Sequence, residues 1–171
     1  NLLNLYELTY EDLLEQKGIG PVKAIQLKAV AELSRRIART NRGYQLQMNN
    51  PKTIADYFME DMRHHRVEVF KGAFFDAKCN FIGSETVAKG SLSFAYVSPA
   101  ELFRKALLKN AVMIVILHNH PSGDPTPSRE DLELTQQIAR GAQLLGITLA
   151  DHIVIGDNRY YSFRENHRLE T

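Results

Sequence analysis

Two histidines and one aspartate near the middle of the chain have the residue types and the spacing of a divalent-metal site. His118 and His120 are separated by one residue, and Asp131 follows eleven positions later. Two imidazoles and a carboxylate supply three protein ligands, the number that leaves one position open at a catalytic zinc. A metal bound in this way activates water for hydrolysis. The three residues therefore predict a divalent-metal site of the kind that leaves a position open for catalysis.

The stretch before His118 predicts how the two imidazoles are positioned. Residues 112–117 are apolar and rich in β-branched side chains, which is typical of a buried strand. Side chains alternate along a strand, so positions 118 and 120 project to the same side. The carboxyl ends of strands are where α/β sheets hold their active sites. The proline-rich loop of residues 121–127 then brings Asp131 back toward both rings.

The spacing His118-x-His120-x7-Ser128-x2-Asp131 resembles the JAMM motif of the JAB/MPN domain, which includes zinc isopeptidases. The run of residues 118–125 resembles the bacterial RadC-like (UPF0758) branch of that family. This resemblance implies an α/β (α+β) fold in which helices flank a mixed, cytidine-deaminase-like β-sheet. It also implies zinc-dependent hydrolysis of a peptide or isopeptide bond in a polypeptide substrate.

The resemblance covers roughly residues 50 to 165 and implies two further site residues. In the JAMM pattern, an upstream glutamate at the start of a strand exchanges a proton with water and the leaving amine. Glu68 best matches that position, and Glu101 is the alternative. Ser128 is either the N-cap of a helix, in a capping box with Asp131, or a hydrogen-bond donor to an oxyanion.

Other metal chemistries are compatible with parts of this pattern. Two histidines and one carboxylate also describe the non-haem iron triad, so iron(II) is the alternative to the zinc that the resemblance implies. Zinc nucleobase deaminases require a pair of cysteine ligands, and Cys79 is the single cysteine of the chain. His118-Asn119-His120 spells HNH, but nucleases of that name spread their histidines over a ββα unit.

Residues 1–42 predict a separate, all-helical module, which a linker at residues 43–49 joins to the metal-dependent domain at residues 50–171. Pro21 suits the first position of a helix. Apolar residues at helical spacing predict one buried face of that helix. They are Val22, Ile25, Ala29, Val30, Leu33 and Ile37.

Gly18-Ile19-Gly20 resembles the helix-hairpin-helix motif, whose backbone amides contact nucleic acid. Glycines let a phosphate approach the main chain, and a helix N-terminus favours anions. Gly18, Gly20 and Lys23 are therefore candidates for non-specific DNA contact. Residues 1–42 carry only seven basic and five acidic side chains, so a packing role is the alternative. A competing hypothesis is thus a DNA-associated, DNA repair type accessory protein with a non-catalytic metal site.

The composition is that of an ordinary globular chain, with 44% hydrophobic and 24% charged residues and a net charge of +1. This charge predicts no strong bulk attraction to nucleic acid or membrane. A lone cysteine cannot form an internal disulfide, so a reducing compartment, the cytoplasm, is expected. No apolar run approaches the roughly 18 residues of a membrane span. Substrate and oligomeric state do not follow from the sequence.

The remaining pattern predicts helices and strands that alternate along the chain. His152 lies in one of the strands and is interpreted as a structural residue, with a contact to the metal site as the alternative. The predicted helices begin at Asn50-Pro51, Ser98-Pro99 and Ser128, and the predicted strands span residues 67–75, 80–88, 147–155 and 159–163.

Overall fold

A computed structural model describes residues 5, 7–40, 50–90 and 97–169, and the side chains of residues 35–40 are not among those described. The chain divides into two compact units, Asn1–Gly43 and Tyr44–Thr171. The predicted linker at residues 43–49 lies outside the described residues. Among the helices within the described ranges, none has both the length and the apolar character needed to span a membrane.

In its described part, the first unit contains the helices α1 (Tyr10–Leu14) and α2 (Pro21–Thr40). Thr9 caps α1 through a complete capping box with Asp12. Gly18 lies in the turn with a φ of +87°, a conformation that favours glycine. Pro21 occupies the first position of α2, as the sequence predicted.

The predicted buried face of α2 was wrong. Val22, Ile25, Val30 and Leu33 are 57% to 69% exposed, whereas Ala24 and Ala31 are buried. Ala29 is also exposed, and the side chain of Ile37 lies outside those described. The partner of α2 in this unit is a helix of five residues. This helix contacts α2 but leaves these large apolar side chains of α2 exposed.

The second unit contains a five-stranded mixed sheet with the strand order β2-β1-β3-β4-β5. Its strands are β1 (Val69–Phe75), β2 (Phe81–Lys89), β3 (Met113–Asn119), β4 (Thr148–Ile155) and β5 (Tyr160–Ser162). The central strand β3 pairs antiparallel with β1 and parallel with β4. The two outer pairs, β1 with β2 and β4 with β5, are antiparallel.

Helices cover both faces of the sheet, which confirms the predicted fold class. These helices are α3 (Pro51–Met62), α4 (Pro99–Leu108) and α5 (Arg129–Leu144). One core cluster joins α3 to one face, and a second joins α4 and α5 to the other. Asn50, Ser98 and Ser128 are the N-caps of the three helices, and each side chain accepts a hydrogen bond from a backbone amide of its first turn.

Strand β3 is buried on both faces from Ile114 to its end at Asn119. Ile114 and Ile116 belong to the cluster beneath α4 and α5, and Val115 and Leu117 belong to the cluster beneath α3. Because side chains alternate along a strand, His118 continues the first face and Asn119 the second.

The contact between α4 and α5 yields a stability prediction. A Cβ on Gly141 of α5 would lie 2.6 Å from the ring of Phe103 of α4. Replacing glycine by alanine at an exposed position inside a helix raises the free energy of unfolding by about 1 kcal/mol. Forcing an extra methyl group into a packed core lowers it by about 1–3 kcal/mol. We expect Gly141→Ala to lower the free energy of unfolding, measured by urea denaturation, by about 1 kcal/mol.

A double variant provides the control. Phe103→Leu shortens the opposing side chain, so Gly141→Ala should be less destabilising in that background than in the wild type. A Gly141→Ala protein more stable than the wild type would contradict the close contact between the two helices.

Candidate metal centre

His118, His120 and Asp131 meet at the carboxyl end of β3 and the first turn of α5. One potential ligand atom from each residue lies within 4.8 Å of the other two. His118 and Asp131 are buried, and His120 is partly exposed. The cluster therefore faces solvent on the side of His120. The structure thus brings together the three residues that the sequence predicted as metal ligands.

The distances within this cluster fit a tetrahedral metal ion. Nε2 of His118 lies 3.0 Å from Nε2 of His120. Oδ1 of Asp131 lies 3.1 Å from Nε2 of His118, and Oδ2 of Asp131 lies 3.4 Å from Nε2 of His120. Zinc bonds of about 2.0 Å in tetrahedral geometry separate neighbouring ligand atoms by about 3.3 Å. Two imidazoles and one carboxylate can therefore hold a divalent cation here with little rearrangement.

The other ring nitrogen of each histidine is also engaged. Nδ1 of His118 lies 2.8 Å from Nε2 of His152, which is fully buried in β4. Nδ1 of His120 donates to the backbone carbonyl of Asp124 at 2.7 Å. Metal-binding histidines are commonly oriented by such a bond at the second nitrogen. Both rings thus direct Nε2 into the cluster.

The loop that supplies the Asp124 carbonyl packs tightly against the turn after β4. The Asp157 amide donates to the Gly123 carbonyl at 2.9 Å. A Cβ on Gly156 would lie 2.4 Å from that same carbonyl oxygen, so only glycine fits at this position. The loop that orients His120 is therefore held in place by the strand that carries His152.

Asp131 is both a potential ligand and part of the cap of α5. Its carboxylate accepts from the Ser128 amide and from the Ser128 hydroxyl, each at 2.7 Å. The Ser128 oxygen in turn accepts from the Asp131 amide at 3.1 Å. Ser128 is therefore the N-cap in a complete capping box, one of the two roles predicted for it.

The charges in the cluster shift the proton affinities of its members. The hydrogen bond to Asp131 raises the pKa of His120 against the opposing effect of burial, and the Asp124 carbonyl and the Glu68 charge add to the rise. Burial alone would raise the pKa of Asp131, but hydrogen bonds with His118 and His120 outweigh it and hold that pKa well below its usual range. Burial lowers the pKa of His152 well below its ordinary value, so this ring is neutral.

Asn119, between the two histidines, fastens the segment that carries Glu68. Its side-chain oxygen accepts from the Val69 amide at 2.8 Å, and its nitrogen donates to the Val67 carbonyl at 3.1 Å. The predicted strand began at residue 67, but β1 begins at Val69, so Glu68 precedes the strand. A cavity of about 330 Å³ lies beside it, lined by Val67, Glu68, Gly90 and Pro121. Sequence analysis missed the role of Asn119, because its bonding partners are about fifty residues away.

Comparisons with known proteins place this chain in a family. A family model described as the RadC-like JAB domain matches residues 48–169. The chain belongs to this family. Similar relatives include a UPF0758 protein of Desulfitobacterium hafniense (strain DSM 10664 / DCB-2), 42% identical over 96% of this chain and 72% of its own length. A UPF0758 protein of Geobacillus sp. (strain WCH70) is 41% identical over 94% of this chain and 71% of its own length.

The alternative glutamate of this RadC-like JAB domain has different surroundings. Glu101 lies in the first turn of α4, where both carboxylate oxygens accept from Arg104 at 2.8 Å. This hydrogen bonding, against a small opposing effect of burial, lowers the pKa of Glu101 to about 2. The Ser98 hydroxyl accepts from the Glu101 amide, as expected of a cap, but the Glu101 carboxylate turns toward Arg104.

The residues proposed for DNA contact lie in the N-terminal unit, ahead of the region that the family model matches. Gly18, Gly20 and Lys23 are exposed at the start of α2. The Lys23 ammonium group donates to the Gly18 carbonyl at 3.1 Å and thereby stabilises the turn. Contact with nucleic acid through these residues stays a prediction.

The bonds of Asn119 yield a prediction about the segment before β1. Asn119→Leu keeps the branching of the side chain and its number of heavy atoms but leaves the Val69 amide and the Val67 carbonyl without this partner. An unsatisfied buried polar group costs about 1–3 kcal/mol. We expect the free energy of unfolding to fall by that amount and amide exchange of Val69 to accelerate, measured by urea denaturation and hydrogen exchange.

Asn166 offers a matched control, because it is exposed and donates one side-chain hydrogen bond, to the Ser162 carbonyl. Asn166→Leu should change the free energy of unfolding by less than about 0.5 kcal/mol. Unchanged Val69 exchange in Asn119→Leu would show that Asn119 does not hold this segment.

The raised pKa of His120 predicts a pH-dependent metal affinity. Below that pKa the ring holds a proton that a metal must displace, whereas Asp131 stays ionised. We expect the apparent dissociation constant for zinc to rise about tenfold per unit as the pH falls below the His120 pKa. Competition with a chromophoric chelator from about pH 8 to about pH 5 measures this slope.

His167→Asn removes an exposed imidazole far along the chain from the ligands and should leave the slope unchanged. A zinc affinity that stays constant over this pH range would contradict the coupling between His120 and Asp131.

Proposed function

We propose that this chain is a zinc-dependent hydrolase of the JAMM type that cleaves a peptide or isopeptide bond. The observation that carries the proposal is the arrangement of His118, His120 and Asp131. Nε2 of His118 lies 3.0 Å from Nε2 of His120, and each of these nitrogens lies within 3.4 Å of one Asp131 carboxylate oxygen. The Nδ1 atoms of both rings are engaged elsewhere. The three residues would hold the metal through two nitrogens and one carboxylate oxygen.

When bound, the metal supplies Lewis acidity, which lowers the pKa of water and polarises the carbonyl that is attacked. The residues of the chain hold and orient the ligands. His118 is oriented through β4, His120 through its own loop, and Asp131 through the cap of α5. Such fixed orientation means that the site needs little reorganisation during the reaction.

Glu68 is the residue that we propose as general base and acid. It lies close enough to His120 for its charge to raise the pKa of that ring. It also lines the cavity beside Pro121, the residue that follows His120. In this role the Glu68 carboxylate takes a proton from the attacking water and returns it to the leaving amine. Glu101 is a weaker candidate, because a carboxyl with a pKa of about 2 holds a proton poorly.

Ser128 contributes through Asp131 in this proposal. Its hydroxyl hydrogen is donated to the Asp131 carboxylate, so the serine orients that ligand. A role as donor to an oxyanion would require this bond to break, and it stays a prediction of the family resemblance.

The cavity beside Glu68 supports a polypeptide substrate. Among the residues that the structure describes, Val67, Gly90 and Pro121 line it beside Glu68 and have no polar side-chain group. A side chain next to the cleaved bond could occupy this space, with the carbonyl group directed toward the ligand cluster.

Metal content is the first test of the proposal. We expect about one zinc per chain, by elemental analysis, in protein purified without a metal-affinity tag. His118→Ala should lose the metal, because it removes a buried ligand. Iron in place of zinc would assign the site to the non-haem iron class. Absence of metal, even after zinc is supplied, would reject the hydrolase.

The second test compares two glutamates. A library of fluorogenic peptides and isopeptides identifies a substrate, on which Glu68→Gln should lower kcat by a factor of about 10² to 10⁴ while zinc stays bound. Glu101→Gln makes the same chemical change on α4 and should retain activity. Equal activity of Glu68→Gln and the wild type would remove Glu68 from the mechanism.

A further inference from the structure

We propose that His152 and Thr135 are positioning residues of the metal centre and fix the tautomer in which His118 presents Nε2 to the metal. The proposal rests on the metal site described above. It concerns two buried residues that are not among the three candidate ligands and are not among the residues that line the cavity beside Glu68.

An unbroken series of hydrogen bonds connects two of the ligands through these residues. Nδ1 of His118 lies 2.8 Å from Nε2 of His152. Nδ1 of His152 lies 2.6 Å from the Thr135 hydroxyl. That hydroxyl lies 2.5 Å from the backbone carbonyl of Asp131. The series begins at the side chain of one ligand and ends at the main chain of another.

The carbonyl at the end of the series sets the direction of every bond. A carbonyl oxygen only accepts, so the Thr135 hydroxyl must give its single hydrogen to Asp131. The Thr135 oxygen can then only accept, and His152 donates to it from Nδ1. A neutral imidazole has one N–H, so Nε2 of His152 is an acceptor and Nδ1 of His118 is the donor. In the neutral form of His118, which is the form that binds a metal, Nε2 then carries the lone pair toward the cluster.

The surroundings exclude other partners for these groups. His118 and His152 are fully buried, and Thr135 is 2% exposed. Phe163 stacks on the His152 ring at a centroid distance of 4.6 Å, and Phe70 contacts it edge-on at 6.2 Å. Water therefore cannot replace a missing donor or acceptor, and the His152 ring cannot turn without displacing packed aromatic side chains.

The series also joins three elements of the fold. His118 belongs to β3, His152 to β4, and Thr135 and Asp131 to α5. A change in the series would alter both the His118 tautomer and the support of the first turn of α5. Loss of the Thr135 hydroxyl would leave Nδ1 of His152 without an acceptor and favour the other tautomer, whose Nε2–H would face the N–H of His118.

Two pairs of variants test this inference. Thr135→Val and His152→Phe remove the hydrogen-bonding groups with little change of volume. Thr135→Ser keeps the hydroxyl, and His152→Gln keeps an acceptor near the position of Nε2. We expect the first pair to weaken zinc affinity by a factor of about 10 to 100, measured by competition with a chromophoric chelator, and the second pair to regain most of it.

Ser162→Ala is a matched control. Ser162 lies in β5, the strand next to β4, and is fully buried. Its hydroxyl donates to the Asp151 carboxylate at 2.6 Å. The variant removes a buried hydroxyl from the same region without touching a ligand, so zinc affinity should stay at the wild-type value. A loss of affinity in Ser162→Ala equal to that in Thr135→Val would show a general effect of destabilisation and overturn the proposal.

Nitrogen NMR of the zinc-loaded protein reads the tautomers directly. His152 and His118 should both carry their proton on Nδ1, and Thr135→Val should shift the proton of His152 to Nε2. Protonation of Nε2 in wild-type His152 would overturn the proposal, as would wild-type zinc affinity in Thr135→Val and His152→Phe. These results are separable from failure of the proposed function, in which the wild type itself would bind no zinc.

Discussion

The central position of β3 is the constraint on which the candidate site depends. Because β3 lies between β1 and β4, its last residues have a strand on each side. Asn119 bonds to the segment that carries Glu68 on one side of the strand, and His118 contacts His152 of β4 on the other. His118 and Asn119 are consecutive at the end of β3. Together they connect this strand to His152 and to the segment of Glu68, the proposed general base.

Asp131 links the stability of α5 to the electrostatics of the site. Its carboxylate accepts two hydrogen bonds from Ser128 at a helix N-terminus, where the helix dipole favours negative charge. The same carboxylate faces His118 and His120. A buried anion between two imidazoles attracts either a proton or a metal cation, so the raised pKa of His120 and the capacity for metal have one cause.

Local patterns predicted much of this fold, and the errors have identifiable reasons. The N-caps at Asn50, Ser98 and Ser128 were predictable, since a cap depends on residues within one turn. The buried face of α2 was not predictable, because periodicity reports where large apolar residues lie and not which side a short partner helix covers. The start of β1 was placed two residues early, because Asn119, remote in sequence, holds the residues just before the strand.

The sequence by itself determined the candidate ligand set, since His118, His120 and Asp131 are close along the chain and meet at one cluster. Strand alternation orients His118, the loop that follows β3 orients His120, and a capping box orients the aspartate. Only the tertiary structure decided what stands behind and beside them. His152 is 34 residues from His118, and the Val69 amide is 50 residues from Asn119. These contacts depend on the pairing of β3 with β4 and with β1, and strand pairing is set by the packing of the whole sheet against its helices.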